Sequence, residues 1–104
     1  MSKPNDQRIT VDSTIRQSTD PVAADLDGEV ALMSIATGRY YCLNETSSRI
    51  WQLIERPRSV RDVCHVLMEE FVNIQPQQCE AAVLEHLSEM LTENLVQVVH
   101  AKAA

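Results

Sequence analysis

The hydrophobic pattern of this chain changes period once. Between residues 21 and 43, short apolar runs are broken by turn residues. From residue 45 onward, apolar positions recur at helical spacing. Residues 21–26 (Pro-Val-Ala-Ala-Asp-Leu) predict a first strand, with Pro21 fit only for its start or an edge. Asp27-Gly28 follows, a strong two-residue hairpin signal because both central positions of such a turn favour positive φ. Residues 29–35 predict a second strand. Its apolar residues fall on both faces, which places it at the centre of a sheet. Thr37-Gly38 marks the next turn, and residues 39–43 predict a third strand. The expectation is a three-stranded antiparallel meander.

The third strand is the pivot of the pattern. Tyr40, Tyr41, Cys42 and Leu43 suit a pleated, half-buried surface. Asn44 then offers a side-chain acceptor to the free N–H groups of a helix beginning at Glu45. Ile50, Trp51 and Ile54 form one stripe of that helix, and Pro57 ends it. Ser59-Val60-Arg61-Asp62 resembles a capping box with Asp in place of Glu. The helix behind it, to about residue 71, repeats Val60, Val63, Cys64, Leu67, Met68 and Phe71 at i, i+3, i+4, i+7 spacing.

Pro76 opens a third helix, expected to run to about residue 94. Val83, Leu84, Leu87, Met90 and Leu91 give it a broad apolar face. Glu80, Glu85, Glu89 and Glu93 lie opposite, a pattern that by default is a solvated face. Residues 95–99 (Leu-Val-Gln-Val-Val) predict a closing strand or extended segment. Residues 1–20 are polar, with only a weak strand signal at Ile9-Thr10-Val11 and Thr14-Ile15. The expected division is a flexible arm over 1–20, a folded domain over 21–99 and a tail over 100–104. Strands followed by helices imply an α+β domain with its helices on one face of the sheet. Three tandem helices beside a small sheet have winged helix-turn-helix topology.

Composition narrows the function. The 104 residues, 44% hydrophobic and 23% charged, make one domain with a modest core. A formal charge of −6 opposes nucleic acid and an anionic membrane surface alike. The three cysteines are odd in number and lack CxxC spacing, which argues against a disulfide scaffold or zinc ribbon. No signal-peptide h-region follows Met1, and no run of about 18 apolar residues exists. The expected compartment is the reducing cytoplasm.

Gly38-x-Tyr40-Tyr41-x-Leu43-Asn44-Glu45-Thr46, followed by Ile50-Trp51 and by Arg58-Ser59-Val60, resembles the PqqD-like family over roughly residues 20–99. These are precursor-recognition domains for ribosomally made, post-translationally modified peptides. The double Tyr and the Ile-Trp pair are most similar to the standalone members of lasso-peptide pathways. The resemblance implies a non-catalytic adaptor with no cofactor. The leader segment of a precursor would add as a strand beside Arg39, Tyr40, Tyr41, Cys42 and Leu43, in the groove between that strand and the third helix. It further implies a leader peptidase and a ring-closing enzyme as partners. Helical periodicity alone selects Val83, Leu84, Leu87 and Leu91 as the opposite wall. The physics agrees independently of the family: an outer strand has unpaired N–H and C=O groups, and an extended peptide satisfies them.

Other chemistries are weaker. A catalytic Cys42 needs a base and an electropositive setting, and His65 and His86 are distant in sequence. Cys64 and Cys79 read as small core hydrophobes. His65, His86, His100, Cys64 and Glu69 could be assembled into a metal site on paper, but the one usable spacing, His65 and Glu69 at i, i+4, is too common to count. The alternative function is a winged helix DNA-binding regulator. Its probe would be the third helix, where residues 76–94 hold four Glu and no Lys or Arg.

Overall fold

The computed structural model describes residues 9–71 and 73–99. The arm expected at residues 1–8 and the tail expected at 100–104 lie outside the described residues. Strands are β1 (Thr14–Gln17), β2 (Val22–Leu26), β3 (Glu29–Met33), β4 (Tyr40–Cys42), β5 (Arg58–Ser59) and β6 (Val96–Val99). Helices are α1 (Glu45–Leu53), α2 (Val60–Glu70) and α3 (Pro76–Thr92).

The meander forms the sheet β2-β3-β4, antiparallel throughout. Asp27 and Gly28 both take positive φ, 58° and 91°, and the Asp25 carboxylate accepts the Gly28 N–H at 2.9 Å. That is the hairpin geometry the dipeptide demands. β3 ends two residues earlier than its apolar run. The Ser34 carbonyl accepts the Gly38 N–H at 2.7 Å, and the Asp20 carboxylate accepts the Ser34 hydroxyl and the Ala36 N–H. The chain therefore curls into the loop at Ser34 and leaves Ile35 58% exposed.

Pairing register fixes the two faces of this sheet. Val30 and Leu32 point into the core, at 5% and 0% exposure, and Tyr41 stands opposite Leu32 on the same side. The other face carries Val22, Ala24 and Leu26 from β2, then Glu29, Ala31 and Met33 from β3, then Tyr40 and Cys42 from β4. Among the described residues no helix covers that face: Val22, Leu26 and Tyr40 are 54%, 59% and 74% exposed.

The helices begin as the caps dictate. Asn44 accepts the Ser47 N–H at 2.8 Å, Ser59 accepts the Asp62 N–H at 3.0 Å, and Pro76 occupies the first turn of α3. Asn94, at φ 62°, reverses the chain after α3 into β6. The core lies between the helices and the inner sheet face. Leu32, Ile50, Ile54, Val60, Val63 and Leu87 are fully buried in it.

A second antiparallel sheet, β5-β1-β6, corrects the boundary placed at residue 20. β1 is its central strand, pairing Thr14 with Val99 and Gln17 with Val96 on one side, and Ile15 with Arg58 on the other. Ile15 is fully buried and Ile9 is 9% exposed, so residues 9–20 are part of the fold. The same segment satisfies the free N–H groups at the start of α2: Val60 and Arg61 donate to the carbonyls of Ser13 and Val11, both at 2.9 Å.

One hydroxyl locks β4 to α1. Ser48, 1% exposed, accepts the Val30 N–H at 2.8 Å and donates to the Leu43 carbonyl at 3.2 Å. It thus completes the last rung of the β3–β4 ladder, where only Leu43 N–H to Val30 carbonyl is direct. Ser48→Ala should cost about 1–3 kcal/mol, because two buried backbone groups lose their partner. Urea denaturation checks this, and an unchanged midpoint would remove Ser48 from the ladder.

Candidate functional site

Antiparallel ladders alternate between pairs that exchange hydrogen bonds and pairs that do not. The Leu43 N–H donates to the Val30 carbonyl and the Ser34 N–H to the Arg39 carbonyl. With the register of β3 and β4, this puts Tyr41 in the intervening bonded pair, opposite Leu32. The N–H and C=O groups of Tyr40 and Cys42 therefore point the other way, off the free edge of β4. β4 pairs with β3 alone among the described strands.

That free edge faces a cleft of about 440 Å³. Tyr41, Cys42 and Leu43 form one side, and His86, Glu89, Met90 and Glu93 of α3 and its cap form the other. Met90, Leu95 and Leu43, all nearly buried, give it an apolar floor. The rim is polar. The Tyr41 hydroxyl donates to Glu93 Oε1 at 2.8 Å, and Arg39 Nη1 lies 3.4 Å from the same oxygen. The Arg39 guanidinium is pushed up from its ordinary value by Tyr41 first and Glu93 second. The Arg39–Glu93 pair is solvent-exposed and adds little to stability. Ser47, on the first turn of α1, holds His86 Nδ1 at 2.9 Å and so fixes the ring at the end of the cleft.

A second cavity of about 350 Å³ adjoins the first and shares His86 with it. Phe71, Ile74 and Val83 are among the residues around it. The opposite edge of the sheet, β2, is also open, but every residue of β2 is exposed and no helix stands beside it. Of the two edges of this sheet, the β4 edge is the one with a cleft beside it among the described residues.

The five strand residues singled out from the sequence divide by face. Arg39 and Tyr41 close the rim, Leu43 joins the floor, and Tyr40 and Cys42 offer backbone to the edge while their side chains lie on the outer face. On α3 the geometry corrects the periodicity. Leu87 is fully buried, and Val83, 1% exposed, reaches only the second cavity. Leu84 and Leu91 pack partly buried against the core and line neither cavity. An apolar stripe finds the side of a helix that faces the core. The cleft side is the mixed stripe 86, 89, 90, 93, with the same i, i+3, i+4, i+7 spacing but mostly polar residues. Nothing local in the sequence pairs Ser47 with His86, because the two lie 39 residues apart.

Catalytic chemistry finds little here. Burial pushes the Cys64 thiol up to about 12, and burial also raises Cys79. Neither is a ready nucleophile. Cys42 is free and exposed, with no hydrogen bond through its sulfur among the described residues. No group of three or more His, Cys, Asp or Glu among the described residues could hold a metal ion. No helix among them is long and apolar enough to cross a membrane.

Fold and site together define a class: an α+β domain with a three-stranded antiparallel sheet, three helices, and one open strand edge set against a helix-walled cleft. The chain belongs to the PqqD family: the model of coenzyme PQQ synthesis protein D (PqqD) matches residues 29–96, from the first residue of β3 to the first of β6. The fold is similar to that of TbiB1, solved in complex with the TbiA(beta) leader peptide. The identity is 25% and the TM-score 0.74, over 84% of this chain and 99% of that one. A lasso peptide synthetase B1 complexed with the leader peptide shares the fold at a TM-score of 0.71 and 20% identity, over 80% of this chain and 96% of the other. No curated protein matches this chain.

Proposed function

We propose that this protein is a non-catalytic adaptor for the leader segment of a ribosomally made precursor peptide. The leader adds as a strand to the free edge of β4, and the adaptor presents it to the leader peptidase and ring-closing enzyme of a lasso-peptide pathway. The observation that carries this reading is the pair of outward-facing backbone positions, Tyr40 and Cys42, above a cleft of about 440 Å³. An extended guest satisfies those groups and drops alternate side chains onto the floor formed by Leu43, Met90 and Leu95. Backbone bonds supply affinity for any strand. The floor, with His86, Glu89 and Thr92 at its rim, supplies the choice among strands. The complexes of TbiB1 and of the lasso synthetase B1 with leader peptides support this reading.

DNA binding fits the charge badly. α3 would be the reading helix, yet it carries Glu80, Glu85 and Glu89 and no Lys or Arg. The deciding measurement is calorimetric titration of the protein with the leader half of the precursor encoded beside it, and separately with duplex DNA at low salt. Leader binding at one to one, with the peptide recovered uncleaved, is the expected result. DNA binding without leader binding would sink the adaptor.

A further inference from the structure

The outer face of the β2-β3-β4 sheet is not explained by leader binding. Val22, Met33 and Tyr40 lie side by side across it in register, Leu26 stands further along β2 opposite Glu29, and Ile35 is 58% exposed in the adjoining loop. Of the eight side chains that the three strands turn outward, Glu29 is the only charged one. A small sheet normally reserves such a composition for its buried side, and an exposed apolar patch of this kind marks an interaction surface. Its surroundings carry one sign of charge. Asp20 beside the Ser34 loop, Asp27 at the hairpin tip and Glu29 on the face itself are acidic, Asp25 turns to the inner side opposite Val30, and the one guanidinium of residues 20–43, Arg39, is engaged by Glu93.

We infer that this face is the docking surface for a client enzyme of the adaptor, a protein whose contact patch is apolar at its centre and basic at its rim. Two features select that occupant. A second copy of this chain would bring two acidic rims together, and like charges across an interface are strongly disfavoured. The face is also continuous with the guest site. Tyr40 and Cys42 present their side chains to the outer face and their free backbone groups to the guest edge, so an enzyme seated on the sheet lies directly against the bound leader strand. The cleft and α3 remain uncovered. Docking and leader capture therefore use different sides of the same three-residue strand.

This inference rests on the adaptor reading, and its test separates the two. The probe is the purified leader peptidase encoded with this protein, and the variant is V22K/L26K. Both positions are more than half exposed on β2, away from the cleft, so the fold is retained. Labelled leader should bind the variant with a Kd within about twofold of the parent, while peptidase binding weakens by at least about tenfold. Undiminished peptidase binding to the variant, or no peptidase binding by the parent protein, overturns the inference and leaves the adaptor standing. Failure of the parent protein to bind leader overturns the adaptor reading instead. Sedimentation velocity supplies the remaining arm: a dimer of the parent protein that V22K/L26K dissolves would assign the face to self-association and overturn the inference.

Discussion

Replacing Cys42 by proline should leave the protein folded and cost it most of its affinity for leader peptide. The Cys42 N–H points off the free edge of β4, so β3 loses no hydrogen bond when that group is removed. Proline is tolerated on edge strands for this reason. The ring takes the place of one of the donors that an added strand needs and obstructs its approach. An unmade hydrogen bond at a desolvated interface costs about 1–3 kcal/mol, or roughly 5- to 150-fold in Kd before the obstruction is counted. Tyr41→Pro is the matched control and should behave in the opposite way. Tyr41 faces Leu32 in a bonded pair, packs against the core, and ties Glu93 through its hydroxyl. Its loss should destabilise the fold by about 3 kcal/mol or more. Circular dichroism melts and leader anisotropy on both variants check the pair. A folded Cys42→Pro protein with undiminished leader affinity would move the guest to another edge.

A chain beginning at Pro21 should fail to fold. It lacks β1, the strand that joins β5 to β6, and with it the fully buried Ile15. Losing a buried side chain of that size costs about 2–5 kcal/mol by itself. β5 and β6 would also be left without a neighbour, since among the described strands each pairs only with β1. The N–H groups of Val60 and Arg61 would lose their acceptors at Ser13 and Val11. Against a total stability of about 5–15 kcal/mol, the sum leaves no margin. The expected result is the absence of a cooperative thermal transition. A sharp transition within about 5 °C of the full chain would make residues 9–20 dispensable.

These two experiments probe features that differ in how plainly the sequence announces them. The hairpin at Asp27-Gly28, the caps at Asn44 and Ser59, and the Pro76 start are legible because each is settled within three or four residues. β1 is nearly silent, since its four residues find their partners about 80 positions away in β6, and two of them pair again about 45 positions away in β5. Nothing local tells Thr14-Ile15 that a strand will be waiting. The open edge of β4 is legible because an outer strand of a meander is open by topology. The helix wall is not. Leu87 and Val83 belong to the core by the same hydrophobic spacing that suggested a groove, and the side of α3 that meets β4 is chosen by the packing of α1 and α2.

The placement of Thr14 opposite Val99 has one more effect. The first and last strands, β1 and β6, are neighbours on the sheet that takes no part in the cleft. Such a body can be spliced into a loop of a larger polypeptide through two short tethers, or relinked end to end and opened elsewhere, with little added closure entropy. Its architecture suits it to be carried as a module, appended, inserted or free, with the β4 edge left open in every case.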